Sequence, residues 1–183
     1  MTNRAVLEPT PLKRMYDGAN LVLLLLISYT VYTVYPALPE RIPTHFDFSG
    51  HANGWGGKGS FVFLAALAWG MTLIFYSLIH CMPRIGLNPR TLNIPHKEEF
   101  MKLPEQKQLR YWALMAEFMA GLMAAVNLLL YLLMRAVARI AANEAALPPF
   151  DYTLPALLVI GFLSILYVVR LARFPGKLIR GEE

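Results

Sequence analysis

The chain has 183 residues, a net charge of +5, 56% hydrophobic residues and only 16% charged ones. Soluble domains carry about 25% charged residues, so this balance excludes an ordinary soluble globule. The long apolar runs point instead to an integral membrane protein of one domain. The single cysteine, Cys81, excludes an intrachain disulfide, and the basic surplus sits in loops beside apolar runs, where it orients a membrane protein rather than recruits nucleic acid.

Residues 1–16 are polar and include Arg4, Lys13 and Arg14. The first predicted span is 18–35, which with tilt reaches the roughly 20 residues a crossing needs. It ends at Tyr35 and Pro36 without a small-residue cleavage site, so no cleavable signal peptide is expected. Tyr29, Tyr32 and Tyr35 suit an interfacial aromatic belt. A loop over 36–60 follows, in which Pro39 and Pro43 forbid a regular helix and Asn53 with Gly54 reads as a turn pair.

The second predicted span, 60–82, carries no charge, and a basic segment follows it, with a short surface helix expected over 97–101. The third span, 111–134, is broken only by Glu117 and Asn127, and Arg135 and Arg139 continue it as a helix leaving the membrane. The fourth, 152–170, has Pro155 in its first turn and a basic tail after it.

The predicted fold is therefore an all-α integral membrane protein, residues 1–183 forming one four-span domain with an ordered outer loop between the first two spans. An even number of spans puts both termini on one side. The N-terminal tail, the middle loop and the C-terminal tail together hold 13 of the 17 Lys and Arg residues. The positive-inside rule then makes both termini cytoplasmic and the 36–60 loop external.

The loop resembles the signature of a bacterial membrane family, the domain-of-unknown-function 1648 family, at Leu38, Pro39, Ile42, Pro43, His45, Phe46, Gly50, Gly54, Trp55 and Lys58. The segment from Asn93 to Phe100 is similar to a cytoplasmic segment of such proteins, in which an aromatic stands where Phe100 stands here. The resemblance covers the first two spans and their loop. The same domain resembles part of the SdpI-type immunity proteins, which protect a bacterium from its own secreted peptide toxin and hold a cytoplasmic ArsR-like repressor at the membrane. It implies a toxin-immunity or signalling role.

Within the loop, His45, Asp47 and His51 are of metal-ligand type, and His45 and Asp47 share one face of an extended segment. Two histidines and one carboxylate leave a zinc set incomplete, so no metal and no other cofactor is expected, and His45 and Asp47 are read as satisfying turn backbone. Ile42, Phe46, Phe48 and Trp55 are expected to hold the loop against the outer mouth of the bundle. Trp55 reads as an interfacial anchor with Lys58 snorkelling beside it.

Glu117 is an ionisable group in an apolar run, and pairing with His80 or Arg110 is favoured over an ion pathway. Asn127 is expected to bond across helices. Ala116, Ala120 and Ala124, with Gly121 and Ala125, give small-residue faces for close packing within the monomer or in a homo-oligomer.

No activated nucleophile and no phosphate-binding loop is visible, so a catalytic residue set is not assigned. The favoured reading is a non-enzymatic membrane protein that contacts the lipid bilayer and uses the loop to bind a peptide or protein. The alternatives are a small accessory subunit of a larger membrane complex, and a transporter or metal-dependent membrane enzyme.

Overall fold

The structure is a computed structural model and describes residues 8–47, 51–86, 94–142 and 150–182. Four helices are long and apolar enough to cross a membrane: α1 (Pro11–Val34), α2 (Gly59–Gly86), α4 (Glu105–Ala141) and α5 (Phe150–Arg180). A short helix, α3 (Lys97–Met101), precedes α4 as expected. The fold is thus helical and membrane-spanning, with one addition. The loop between α1 and α2 contains a two-stranded antiparallel hairpin, β1 (Arg41–Phe46) and β2 (Ala52–Gly57), reached through a 3-10 turn at Tyr35–Ala37.

Every long helix outruns its predicted span, for identifiable reasons. α1 begins at Pro11 because Thr10 caps it, its hydroxyl accepting from the Lys13 N–H at 3.0 Å, with Pro11 in the first turn. The charges that follow are paired one turn apart, Lys13 to Asp17 at 2.8 Å, so the helix carries them at low cost. α2 continues through Pro83 to Gly86 rather than ending near 82. α4 has 37 residues, about 55 Å at 1.5 Å each, and so projects well beyond a hydrocarbon layer of about 30 Å.

The basic tail after 170 is helix rather than coil. Leu171 and Leu178 bury themselves in α5's last turns, in a cluster with Phe100, Tyr111 and Trp112, and Pro175 between them is fully buried. That packing outweighs the hydrogen bond Pro175 cannot donate. Phe100 is fully buried there and meets the Tyr111 ring edge-on at 5.4 Å, so the aromatic singled out in the sequence pins α3 to the bundle.

α4 is the central helix, packed against α1, α2, α5 and β1. Lipid tails are as apolar as leucine, so hydrophobicity alone does not join helices in a bilayer; close packing and internal hydrogen bonds do. Both devices are present. Ala116 and Ala120 are buried to within 1% of full burial, beside Ile79 and Tyr16, so the expected small-residue face works inside the monomer. Deeper in, the Asn127 amide donates to Asn20 Oδ1 at 2.9 Å and to Thr72 Oγ1 at 3.0 Å, joining α4, α1 and α2. Asn20 Nδ2 donates in turn to the Ala120 carbonyl and the Tyr16 carbonyl, each at 3.0 Å. The outer side of α5, with Leu158, Phe162 and Ile165 exposed, faces lipid.

Asn20→Ala is expected to destabilise the bundle by about 1–3 kcal/mol, because it removes one of the two acceptors of the buried Asn127 amide and the donor to the Ala120 carbonyl. Thermal unfolding in detergent micelles measures this, and an unchanged midpoint would contradict it.

Candidate functional site

β1 and β2 pair with Arg41 opposite Gly57, Ile42 opposite Gly56, Pro43 opposite Trp55, His45 opposite Gly54 and Phe46 opposite Ala52, with irregular register around Thr44. Asn53 and Gly54, read from sequence as a turn, lie within β2 instead. The glycines serve close strand approach. A Cβ on Gly54 would stand 2.8 Å from the His45 Cβ, and one on Gly56 would stand 2.8 Å from Thr44 Cγ2. The turn is closed further along, where the Asp47 N–H donates to the His51 carbonyl and Asp47 Oδ1 accepts from the His51 N–H, both at 2.9 Å. Phe48 and Gly50 lie outside the described residues.

The base of the hairpin is fastened three ways. The Lys58 N–H donates to the Glu40 carbonyl at 3.1 Å, its ammonium meets Glu40 Oε1 at 2.8 Å, and the same ammonium lies 5.5 Å from the centre of the Tyr35 ring. The hydrogen bond to Glu40 raises the Lys58 pKa above its ordinary value. Lys58 thus pairs with Glu40 and Tyr35, not with Trp55.

The face turned to the bundle is apolar. Ile42 is 1% exposed and Pro43 is fully buried, and Ile42 joins Leu38, Phe61, Met134 and Val137 in one cluster spanning α1, the hairpin, α2 and α4. Phe46 is half-buried against the same cluster. Trp55, expected to help hold the loop down, stays 49% exposed. Ile42, Pro43 and Leu38, all buried, do the anchoring instead.

Arg41, Thr44, His45, Asn53 and Trp55 are all exposed. His45 makes a cross-strand hydrogen bond through Nδ1 to Asn53 Oδ1. His51 Nδ1 stands 3.9 Å from Asp47 Oδ1. His45 therefore bonds a side chain, while Asp47 satisfies turn backbone as expected. Among the described residues, no group of three or more His, Cys, Asp or Glu is placed to share a metal ion.

A second polar cluster lies at the far end of the bundle. Glu117, its side chain 6% exposed, accepts from Thr10 Oγ1 at 2.6 Å and from the Tyr167 hydroxyl at 2.9 Å, with the Arg170 guanidinium at 3.9 Å. Those are its partners, in place of His80 or Arg110. The carboxylate so ties the N-terminus of α1 to α4 and α5. Nearby, the Tyr76 hydroxyl donates to Asp17 at 2.7 Å, and Asn20 Nδ2 is 3.3 Å from the same hydroxyl, so a polar seam leads from Lys13 and Asp17 down to Asn127. Asn127 bonds across helices as expected. Thr10, Asp17, Asn20, Thr72 and Tyr76 went unmarked as functional in the sequence. Their signal was only a few polar residues within or just before apolar runs.

The architecture is that of a multi-pass membrane protein with a structured hairpin seated on one end of its helices. Residues 21–68 match the family model described as domain of unknown function (DUF1648). The match runs from within α1 through the hairpin into α2, the segment that carries the sequence resemblance. No curated protein and no solved structure matches the chain.

Gly54→Val is expected to pry the strands apart at His45 and cost about 1–3 kcal/mol, while Gly57→Ala, with no atom within 4 Å of the added Cβ, is tolerated. Limited proteolysis between residues 41 and 57 distinguishes them, and equal resistance of both variants would refute the close-approach account.

Proposed function

We propose that this chain is a non-enzymatic membrane recognition protein whose hairpin binds a polypeptide partner on the external side of a bacterial inner membrane. The observation that carries the reading is a paired hairpin that divides its side chains between buried and exposed ones. Ile42 and Pro43 are locked into the bundle, while Arg41, Thr44, His45 and Trp55 are held outward on a strand pair that has no freedom to collapse onto them. A surface ordered before contact loses little conformational entropy on binding. An exposed tryptophan flanked by a cation and hydrogen-bonding side chains is the composition of interface hot spots. A secreted peptide is the ligand class that the family resemblance favours.

Two features weigh against catalysis. His45 and Asp47 are engaged with Asn53 and the turn backbone, and among the described residues neither stands beside an activated nucleophile. Orientation is part of the proposal. The end of the bundle that carries Lys13, Arg14, Lys107, Arg110, Arg170 and Arg173 faces the cytoplasm by the positive-inside rule, which puts the hairpin outside.

Two measurements test this. A periplasm-dependent reporter inserted after Gly57 is expected to be active and one after Pro95 inactive; the reverse pattern would overturn the orientation and the proposal with it. A photoreactive residue at Thr44 is expected to form one discrete polypeptide adduct in intact cells. Trp55→Ala should reduce that adduct severalfold while leaving the unfolding temperature unchanged. An adduct indifferent to Trp55→Ala would mean that the hairpin face is not the binding surface.

A further inference from the structure

A cleft of about 440 Å³ opens between α1, α4 and α5. Its walls include Ala19 and Leu23 of α1, Gly121 and Ala125 of α4, and Leu163 of α5, and its polar contributions come from Tyr16, Tyr167 and Ser164. The cleft exists because small residues line it on two helices while Tyr16 is drawn in at one end, its ring so close to Gly121 that a Cβ there would stand 2.9 Å away. Glu117 then draws the Tyr167 hydroxyl to 2.9 Å at that same end.

The dimensions and polarity select an occupant. From Phe118 to Leu128 α4 advances about 15 Å, half of a hydrocarbon layer of about 30 Å, so the cleft is as long as one leaflet is deep. Its deep end, at Leu23, Leu128 and Ile160, is wholly apolar. Its shallow end carries the tyrosine hydroxyls and, one turn further along α5, Arg170, whose side chain is 60% exposed. Arg14 and Arg173 are exposed at the same end. Of the acids that face this end, Asp17 is paired with Lys13, and Glu117 is buried, accepting from Thr10 and Tyr167 with the Arg170 guanidinium 3.9 Å away, while the rest of the Arg170 side chain stays exposed. An apolar slot one leaflet deep with a cationic mouth complements a lipid that has an acyl chain and an anionic headgroup.

We propose that the cleft is a binding site for an anionic glycerophospholipid of the adjoining leaflet, one acyl chain lying along Gly121 and Ala125 and the phosphate held at Arg170. The site is independent of the hairpin and of the partner proposed for it. It would stabilise the α1–α5 side of the bundle, where α5 packs chiefly against α4.

The full chain, reconstituted with phosphatidylcholine and phosphatidylglycerol and released for native mass spectrometry, is expected to retain one phosphatidylglycerol molecule in preference to phosphatidylcholine. Ala125→Phe, and independently Ala19→Leu should the first fail to fold, is expected to abolish the retained lipid. Ile165→Phe on the lipid-facing side of α5 should leave it in place. Arg170→Gln should lower the preference for phosphatidylglycerol about fivefold, the effect of losing one membrane-surface cation, while a lipid is still retained. Retention that is indifferent to headgroup, or unchanged when the cleft is filled, would overturn the proposal. So would cleft-filling variants that dissociate a dimer without losing lipid, which would make a second copy of the chain the occupant.

Discussion

The structure depends on the buried amide contact between Asn20 and Asn127, with Thr72 as its third member. In hydrocarbon an unpaired amide is costly, so the three polar groups must meet, and they can meet at only one axial register of α1, α2 and α4. Ala116 and Ala120 allow that register by removing bulk at the same level. Once it is set, the C-terminal end of α1 and the N-terminal end of α2 are fixed relative to α4. The hairpin joins those two ends, so its footing is decided deep in the membrane.

The hairpin uses that footing rather than an internal core. A two-stranded ribbon alone is at best marginal in water, and β2 is half glycine, with little side chain to pack. Stability comes from the Ile42 cluster with Phe61, Met134 and Val137, and from Glu40 and Lys58 closing the base. The consequence for function is a division of labour across one short ribbon. Ile42 and Pro43 belong to the bundle core, and Arg41, His45 and Trp55 stay exposed without risk to the fold.

Much of this was legible in the sequence, and the remainder was hidden for physical reasons. Four apolar runs announce four spans, because a crossing demands about 20 such residues. Their ends were misjudged wherever a charge or proline was compensated in space: Lys13 by Asp17, and Pro175 by its burial with Leu171 and Leu178. The loop showed its order through Pro39, Pro43 and Trp55. It concealed β2, since Asn53 and Gly54 carry turn propensity that pairing with His45 overrides. Glu117 and Asn127 stood out as polar residues in an apolar run. Their partners did not, because Thr10 lies before the helix and Asn20 and Thr72 read as mild interruptions.

The central claim is that the hairpin is a rigid extension of the bundle rather than a tethered loop. Hydrogen–deuterium exchange of the full chain in lipid nanodiscs tests it directly. The ladder amides of Arg41–Phe46 and Ala52–Gly57 are expected to exchange far more slowly than an unstructured peptide, and together, because they open only when the Ile42 cluster does. Exchange of those amides at the rate of a free peptide, while α1 and α2 remain protected, would contradict the account.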